Sequence, residues 1–422
     1  MPPALRASLH LIGITALAVV VGAVSGLGSW ALFEALDSAT TSRLDADWLV
    51  WLLPVAAFAL GAAYHYFGAD ANKGTSLVIT ESLAPTGDSD SDSMERAPHV
   101  PARMAPMIFG ATYIAQLTGA SVGREGAALQ IAGSAVSTLL KPLRLPAHEL
   151  RLMLIAAMAG AFGGAFGVPV AGAIFALEVQ RTGRIRYEAL APALAASVTA
   201  DYVVEGLGRS TPMLALPVDL DVSIVLRLAL VGVAAGLAAR VFIVSLHAMK
   251  SATRKLIAWA PARPVVGAVA TLALMGLFGR DYLGLSLPLV ESALDGIAAD
   301  WWEPLLKIVF TVVALGSGIP GGEVTPLFVV GATLGSTLAE PLSLDPRLAA
   351  AAALAAVFGA ASNTPIACAI LAVELFGGGL AVPAAVVCIV AYAVSPERGI
   401  YDGQREGATK DLRASAPRRL RS

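Results

Sequence analysis

The chain has 422 residues, of which 56% are hydrophobic and only 14% are charged, and its mean hydropathy is +0.72. About a quarter of the residues in a soluble protein are charged, so the composition excludes an ordinary soluble globular protein and indicates one large membrane domain. The formal net charge of −2, without a basic surface interleaved with aromatic residues, gives no indication of nucleic-acid binding.

The N-terminal segment is long and apolar. Residues 7–33 contain no Lys, Arg, Asp or Glu, and this run is long enough to span a bilayer with some tilt. Arg6 in front of it resembles the start of a secretory signal, but the apolar run is too long for one. We therefore predict that the first span is retained, with the first two spans at about 8–36 and 48–67.

Many shorter apolar segments follow, separated by polar stretches such as 85–101, which we predict to be a solvated loop. Several segments are too short to cross about 30 Å of hydrocarbon at about 1.5 Å per residue, and many are broken by Gly or Pro. Interrupted helices of this kind occur at membrane depth where they pack in protein or line a cavity, as in transporters. The predicted segments are 104–119, 125–141, 149–162, 168–180, 188–206, 223–248, 264–279, 283–297, 303–315, 324–339, 347–358, 364–376 and 380–394.

The sequence also repeats itself. A shift of 196 residues makes half of the positions from 151 to 178 identical, which is typical of transporters built from two related halves. We therefore predict one membrane transport domain over residues 1–405, with half-repeats at about 8–207 and 222–405, and a short charged tail at 406–422. The matched residues include Phe162 with Phe358, Pro169 with Pro365 and Glu178 with Glu374.

A glycine-flanked glutamate precedes the first copy of the repeat. In Gly123-Arg124-Glu125-Gly126 the glycines let backbone amides approach a ligand closely, and the start of a helix presents free N–H groups that bind anions. A glutamate here would occupy the anion site when ionised and leave it when protonated, which couples anion movement to protons. The alternative is an ordinary carboxylate stabilised by the helix dipole.

A second glutamate lies before the equivalent segment of the second copy. Residues 316–326 end in Gly322-Glu323-Val324-Thr325-Pro326 after several further glycines, and this composition predicts a loop whose amides and hydroxyl groups face a ligand. An ionisable residue at membrane depth is a functional candidate. The alternative is a structural kink with Glu323 at a membrane surface.

Two hydroxyl residues, Thr75 and Ser76, follow Gly74 at the start of another short apolar stretch. Their hydroxyl groups could donate hydrogen bonds to an anion at a third helix start. A Ser or Thr that only caps the helix is the alternative.

The sequence contains no pattern that indicates a metal centre, a cofactor or an enzyme. The five histidines lie outside the glycine-rich motifs and lack the His-x-Glu type of metal-ligand spacing. Cys368 and Cys388 lie in apolar segments, and we predict that they are buried, unpaired thiols. An intramembrane enzyme and a purely structural membrane subunit are the alternatives from other classes.

Taken together, these motifs resemble the CLC family of chloride channels and transporters. Gly123-Arg124-Glu125-Gly126, followed by Leu-Gln-Ile at 129–131, is similar to the G-R-E-G-P motif of that family. Residues 165–178 are similar to the segment that follows the motif, and residues 316–326 resemble the family's third anion-binding loop. The resemblance covers most of residues 10–405. It implies an all-α membrane fold with an inverted repeat of many tilted, partly short helices, and a homodimer with one pathway in each subunit.

Three departures from the chloride-transporting members are similar to the fluoride-exporting branch of the family. The first loop is Gly-Thr-Ser-Leu-Val at 74–78 rather than G-S-G-I-P, and Glu323 stands where a hydrophobic residue is usual. Val179 stands where chloride antiporters have the glutamate that relays protons from the cytoplasm. In the fluoride branch a glutamate and a threonine of the third loop, here Glu323 and Thr325, take part in transport. Tyr401 is similar to the family's late tyrosine, whose hydroxyl faces the central anion.

The resemblance implies a fluoride/proton antiporter that moves fluoride out of the cell. Fluoride is small and strongly hydrated, so its site must offer several hydrogen-bond donors. A chloride/proton antiporter or a passive chloride channel of the same family is the alternative. The residues implied to gate with protons are Glu125 and Glu323, and those implied to bind the anion are Thr75, Ser76, Gly123, Arg124, Gly126, Gly322, Thr325 and Tyr401.

Basic residues near the C-terminus predict its location. Arg418, Arg419 and Arg421 close the chain, and Lys or Arg beside membrane spans favours the cytoplasmic side. We therefore expect a multi-pass protein of the inner or plasma membrane whose C-terminus is cytoplasmic. Its expected partners are fluoride, protons, lipid and a second copy of the chain.

Overall fold

The computed structural model describes residues 3–83, 97–183, 185–211 and 213–405. Over these ranges the chain is almost entirely helical and forms no strand. Its β-type pairings are two isolated bridges, Gly123 with Gly322 and Arg181 with Arg405. Most of the predicted loop 85–101 and all of the predicted tail 406–422 lie outside the described residues.

The helices follow the predicted apolar segments, with two informative differences. The first helix extends well beyond the predicted span 8–36, because it continues into the polar residues that follow. The predicted segment 283–297 is helical only in its middle. The helices are α1 Pro3–Asp45, α2 Leu53–Ala63, α3 Thr75–Ser82, α4 Met104–Leu117, α5 Glu125–Leu140, α6 Ala147–Phe166, α7 Pro169–Glu178, α8 Leu190–Gly206, α9 Val222–Leu256, α10 Ala262–Phe278, α11 Leu287–Leu294, α12 Glu303–Ser317, α13 Val324–Ala339, α14 Pro346–Ser362, α15 Pro365–Phe376 and α16 Ala381–Val394.

The same local chemistry breaks the helices at equivalent places in the two halves. Gly167, with φ of 68°, ends α6 before Pro169 begins α7. At the positions related by the repeat, Asn363, with φ of 58°, ends α14 before Pro365 begins α15. Gly and Asn adopt positive φ at least cost, and proline suits the first position of a helix.

Length and composition indicate a membrane-spanning domain. α1 and α9 expose many large apolar side chains, such as Leu27 and Leu230, whereas α6 and α14 are buried almost throughout. This distribution fits lipid-facing outer helices around a packed centre. Within the described ranges, four helical stretches are long and apolar enough to cross a bilayer, namely Leu9–Asp45, Asp47–Ser82, Ala147–Phe166 and Val222–Leu256.

Small residues let the central helices approach one another closely. A Cβ placed on Gly331 of α13 would lie 2.4 Å from the Ala353 carbonyl oxygen in α14, and one on Gly335 would lie 2.2 Å from that of Ala349. No side chain fits at either position. Close approach through Gly and Ala is how membrane helices pack when lipid rather than water surrounds them.

The two halves have matching internal packing and exchange equivalent hydrogen bonds, as expected for a repeat. α1 packs on α6 and α8, and in the same way α9 packs on α14 and α16. Glu178 of α7 accepts hydrogen bonds from the first amides of α15 at 3.2 and 2.9 Å. Glu374 of α15 accepts them from the first amides of α7 at 2.9 and 2.7 Å. This exchange between matched residues of the repeat confirms the predicted inverted-repeat fold, while the proposed bounds of its halves stay a prediction.

Candidate anion and proton site

The two glycine-rich loops meet at the centre of the molecule. The Gly123 amide donates to the Gly322 carbonyl at 2.7 Å, and the Gly322 amide donates to the Gly123 carbonyl at 2.8 Å. A Cβ on Gly322 would lie 2.8 Å from the Gly126 nitrogen, and one on Gly123 would lie 2.9 Å from a Pro326 side-chain carbon. The glycines are therefore required because the backbones touch, and their pairing brings the starts of α5 and α13 together.

Glu125 lies at the first position of α5, with 1% of its surface exposed, and its carboxylate lies at the start of α13. The Thr325 hydroxyl donates to both carboxylate oxygens at 2.7 and 2.6 Å, and the Thr325 amide donates to one of them at 3.1 Å. The Arg124 amide donates to the same oxygen at 3.2 Å. The carboxylate thus occupies free donors at a helix start, which is where an anion binds.

Glu323 occupies the capping position before α13 and is partly exposed to a cavity. A Cβ on Gly126 would lie 3.8 Å from a Glu323 carboxylate oxygen and 3.3 Å from the Thr75 hydroxyl. Glu323 and Thr75 therefore lie on the same side of the α5 start. The structure brings the two predicted glutamates to neighbouring helix starts with different surroundings.

Thr75 and Ser76 open α3 as predicted, but their hydroxyl groups differ. The Thr75 hydroxyl donates to the Gly126 carbonyl at 3.2 Å and accepts from the Gln130 side-chain amide at 3.3 Å. Ser76 is partly exposed in the cavity, and its hydroxyl makes no hydrogen bond to the described residues. Ser76 is consequently the better placed of the two to donate to an anion.

Tyr401 presents an unused donor at the cavity wall. It is 4% exposed, and its hydroxyl has no hydrogen-bond partner among the described residues. The Ile400 amide donates to the Ala361 carbonyl at 2.9 Å, and the Asn363 side-chain amide donates to the Glu397 carbonyl at 2.9 Å. These bonds fix the loop that carries the tyrosine. A buried polar atom without a partner is uncommon, so the Tyr401 hydroxyl marks a place where a ligand can bind.

A cavity of about 730 Å³ leads to this region from one face of the molecule. Glu323, Thr75, Ser76 and Tyr401 contribute to its wall, whereas Glu125 does not. Basic side chains outnumber acidic ones along the wall, so the cavity attracts anions. The basic residues are Lys73, Lys250, Arg254 and Arg263, and the acidic ones are Glu81, Glu323 and Asp402.

The Arg124 side chain is directed away from this cavity. Its guanidinium lies 4.0 Å from the centre of the Phe33 ring, 3.4 Å from the Asp37 carboxylate and 3.5 Å from that of Glu125. Arg209 makes a 2.7 Å ion pair with the same Asp37. Arg124 therefore anchors the α5 start to α1, and both its guanidinium and its backbone amide contact Glu125.

Sequence reasoning missed the fully buried Lys307 of α12. Its ammonium donates to the Ser121 hydroxyl (2.9 Å), the Ser286 hydroxyl (2.8 Å) and the Gly284 carbonyl (2.9 Å), and it lies 3.3 Å from the Tyr282 carbonyl oxygen. Since Ser121 leads into Gly123, the lysine supports the loop before Glu125. A lone lysine in the apolar segment 303–315 was the signal that could have found it.

Comparisons with known sequences give a consistent relationship. Residues 55–396 match the family described as voltage gated chloride channel. The chain is 38% identical over 407 residues to a chloride/fluoride channel protein of Pseudomonas syringae pv. tomato, covering 94% of this chain and 87% of that protein. It is 26% identical over 300 residues to a voltage-gated ClC-type chloride channel of Salmonella typhimurium, covering 68% of this chain and 71% of that one.

Solved structures resemble the fold over nearly its whole length. The crystal structure of a CLC-type fluoride/proton antiporter has a TM-score of 0.87 at 30% identity, covering 94% of this chain and 99% of that one. A slow cyanobacterial Cl⁻/H⁺ antiporter has a TM-score of 0.75 at 16% identity, covering 92% and 96%. At that lower identity the likeness concerns the fold alone.

Proposed function

The chain belongs to the voltage-gated chloride channel (CLC) family, and we propose that within this family it exchanges fluoride for protons. Its membership and its all-α membrane fold agree with the sequence predictions. The observation that carries the proposal is the contact between Glu125 and Thr325, in which a carboxylate occupies the hydroxyl and amide donors that an anion would need. Glu323 directly precedes this helix start.

In this proposal, anion and proton movements are coupled because the Glu125 carboxylate and the anion compete for the same hydrogen-bond donors. While Glu125 is ionised, it saturates the donors at the start of α13 and closes the route between the cavity and the opposite face. Protonation removes its charge and weakens these charge-assisted hydrogen bonds. The freed Thr325 hydroxyl and amide then donate hydrogen bonds to the anion. Each anion that enters therefore requires a proton on Glu125, which is the basis of coupling.

Glu323 supplies a second carboxylate on the cavity side. Val179, at the position where chloride antiporters of the family relay protons, is fully buried and offers no oxygen or nitrogen. Glu323 is partly exposed to the cavity and lies beside the α5 start, so it can exchange protons with water there. Its location makes it the proton acceptor that Val179 cannot be.

Several features favour fluoride over chloride. The Ser76 and Tyr401 hydroxyls make no hydrogen bond within the described residues, and Thr325 adds a third hydroxyl once Glu125 leaves. Three hydroxyls and nearby amides suit a small, strongly hydrated anion, because hydrogen-bond donors of the site must replace its hydration shell. Two similar proteins, at 38% and 30% identity, are a chloride/fluoride channel protein and a fluoride/proton antiporter.

Fluoride export also accounts for the coupling. Hydrogen fluoride is a weak acid that enters cells as a neutral molecule and is trapped inside as the anion. Moving fluoride outward against inward proton flow reverses this accumulation. We place the protein in the inner or plasma membrane as a homodimer, with the cavity and the C-terminus on the cytoplasmic side.

A flux measurement tests the proposed substrate. The full-length protein is reconstituted into liposomes loaded with either fluoride or chloride, and efflux is followed with ion-selective electrodes while external pH is recorded. We expect faster fluoride efflux, accompanied by proton uptake. Faster chloride efflux would reject fluoride and favour a chloride/proton antiporter, and fluoride efflux without proton movement would reject exchange in favour of a channel.

A further inference from the structure

Three side chains from two helices cluster near the start of α1, outside the wall of the cavity described above. His10 lies in the first turns of α1, and His148 and Glu149 lie in the first turn of α6. One ligand atom from each lies within 4.8 Å of the other two. We propose that these residues bind one divalent transition-metal ion per subunit, and that Zn²⁺ fits the set best.

The distances require only small side-chain movements. The His10 Nε2 atom lies 3.6 Å from a Glu149 carboxylate oxygen, and the two imidazole centres are 6.4 Å apart. Tetrahedral Zn²⁺, with bonds of about 2.0–2.2 Å, separates its ligand atoms by about 3.3 Å. Both histidines are exposed, so their rings can turn inward without disturbing the core. The site would close around an ion by rotation of side chains alone.

The donor types select the class of metal. Imidazole nitrogen combined with one carboxylate is a ligand set that Zn²⁺ uses with a water molecule in the fourth position. Mg²⁺ and Ca²⁺ prefer oxygen ligands throughout. Two nitrogen donors among three ligands therefore favour a transition metal over the abundant hard cations.

Glu149 is the residue that most needs such a partner. It is 8% exposed, and within the described residues its only ion-pair partner is His10, which carries charge only when protonated. Glu178 and Glu374, by comparison, each receive two backbone amide hydrogen bonds. A buried carboxylate is costly without compensation. A divalent ion would supply the missing positive charge, and the carboxylate would offset the positive end of α6.

Bound metal would join the start of α1 to α6, against which α1 packs. Metal binding to the folded state alone raises its stability by mass action. The ion should therefore increase the melting temperature of the protein. The sequence did not indicate this site because its ligands come from positions 10 and 148–149, which only the packing of α1 on α6 brings together.

Calorimetry on the full-length protein without a histidine tag tests the proposal. We expect one saturable Zn²⁺ site per subunit at about pH 7.5 and no comparable site for Mg²⁺. His10→Ala and His148→Ala should each weaken Zn²⁺ binding by at least about tenfold and remove the zinc-dependent increase in melting temperature. His99→Ala is the control, because His99 is exposed and its hydrogen bond to Glu81 uses the backbone amide.

Two results would overturn the site. One is the absence of saturable Zn²⁺ binding by the wild-type protein. The other is binding that both histidine variants retain at wild-type strength while remaining folded by size-exclusion chromatography. Because both substituted side chains are exposed, loss of binding together with retained folding assigns the ion to these residues. Transport activity is not needed for any of these measurements.

Discussion

The two candidate glutamates differ in the donors that each carboxylate receives. Glu125 is almost completely buried, and its carboxylate accepts hydrogen bonds from the hydroxyl and amide of Thr325 and from the amide of Arg124. Glu323 is partly exposed to the cavity. A carboxylate that occupies the hydrogen-bond donors an anion would use is suited to gating. A carboxylate in contact with water is suited to proton exchange. The different roles that we propose for the two glutamates therefore rest on their surroundings rather than on residue type.

Glu125→Gln should abolish proton movement driven by a fluoride gradient in proteoliposomes, down to the level of liposomes without protein. Glutamine keeps the shape of the protonated side chain and can still accept from Thr325, but it cannot release a proton. Glu34→Gln is the matched control, because Glu34 is exposed and paired with Arg209, and it should pump at the wild-type rate. Wild-type pumping by the Glu125→Gln protein would mean that the gate lies elsewhere.

Glu323→Gln should likewise abolish coupled exchange without unfolding the protein, because it removes the carboxylate on the cavity side while preserving side-chain volume. Glu340→Gln serves as the control at the opposite end of the same helix, where the side chain is exposed. Fluoride efflux and pH change are recorded together for both variants. If fluoride and proton fluxes both survive the loss of Glu323, the residue has a structural role and the fluoride assignment weakens with it.

The sequence predicted the helix starts at the candidate site better than the contacts between them. The glycines around Glu125 and before Glu323 predicted two helix starts. In the structure α5 and α13 begin at these positions. The hydrogen bond from Thr325 to Glu125 could not be predicted, because it joins residues 200 positions apart through the crosswise packing of two halves. For the same reason, the sequence could not show that the Thr75 hydroxyl donates a hydrogen bond to the Gly126 carbonyl while the Ser76 hydroxyl does not.

At the scale of elements, α12 supports the loop before Glu125 through a single charged residue. Lys307 donates to oxygens from the loop before Gly123 and from the segment before α11. Ser121 also contacts Thr311 of the same helix at 3.1 Å. These bonds join three separate parts of the chain around one ammonium group. The orientation of the α5 start therefore depends partly on a residue outside the glycine motifs.

Lys307→Met should lower the free energy of unfolding by about 1–3 kcal/mol, because it leaves several buried oxygens without their donor. Thermal unfolding of the purified protein in detergent measures the change as a lower melting temperature. Lys250→Met makes the same substitution at a cavity wall and should leave the melting temperature close to that of the wild type. An unchanged or higher melting temperature for Lys307→Met would show that relief from burying a charge outweighs the lost hydrogen bonds.

Helix positions could be predicted where local chemistry sets them. The predicted segments 324–339 and 364–376 agree closely with α13 and α15, because glycine or proline marks their starts. α1 was predicted too short, since hydropathy shows where a helix is apolar and not where its hydrogen bonding ends. The short α11 was predicted too long because the apolar residues on either side of it adopt turn conformations rather than helix.

For the whole molecule, the arginines near the end of the described chain bear on its orientation in the membrane. Arg181 and Arg405 pair through their backbones on one face, and Arg186 donates to the carbonyl at the end of α3 there. α1 ends on the opposite face, where Asp47 is paired with Arg280. Since Lys and Arg favour the cytoplasmic side, these arginines support the proposed cytoplasmic location of the face that carries Arg405 and the cavity.

Labelling of single cysteines in intact cells tests this orientation. Asp47 and Arg398 have side chains that are 71% and 65% exposed, on the opposite and the Arg405 faces respectively. The native Cys368 and Cys388 are buried, so they should react little with a membrane-impermeant maleimide. We expect Asp47→Cys to be labelled in intact cells and Arg398→Cys only after the membrane is permeabilised. The reverse pattern would place the cavity outside the cell, so that its basic wall would collect external anions and the proposed export of fluoride would lose its cytoplasmic entrance.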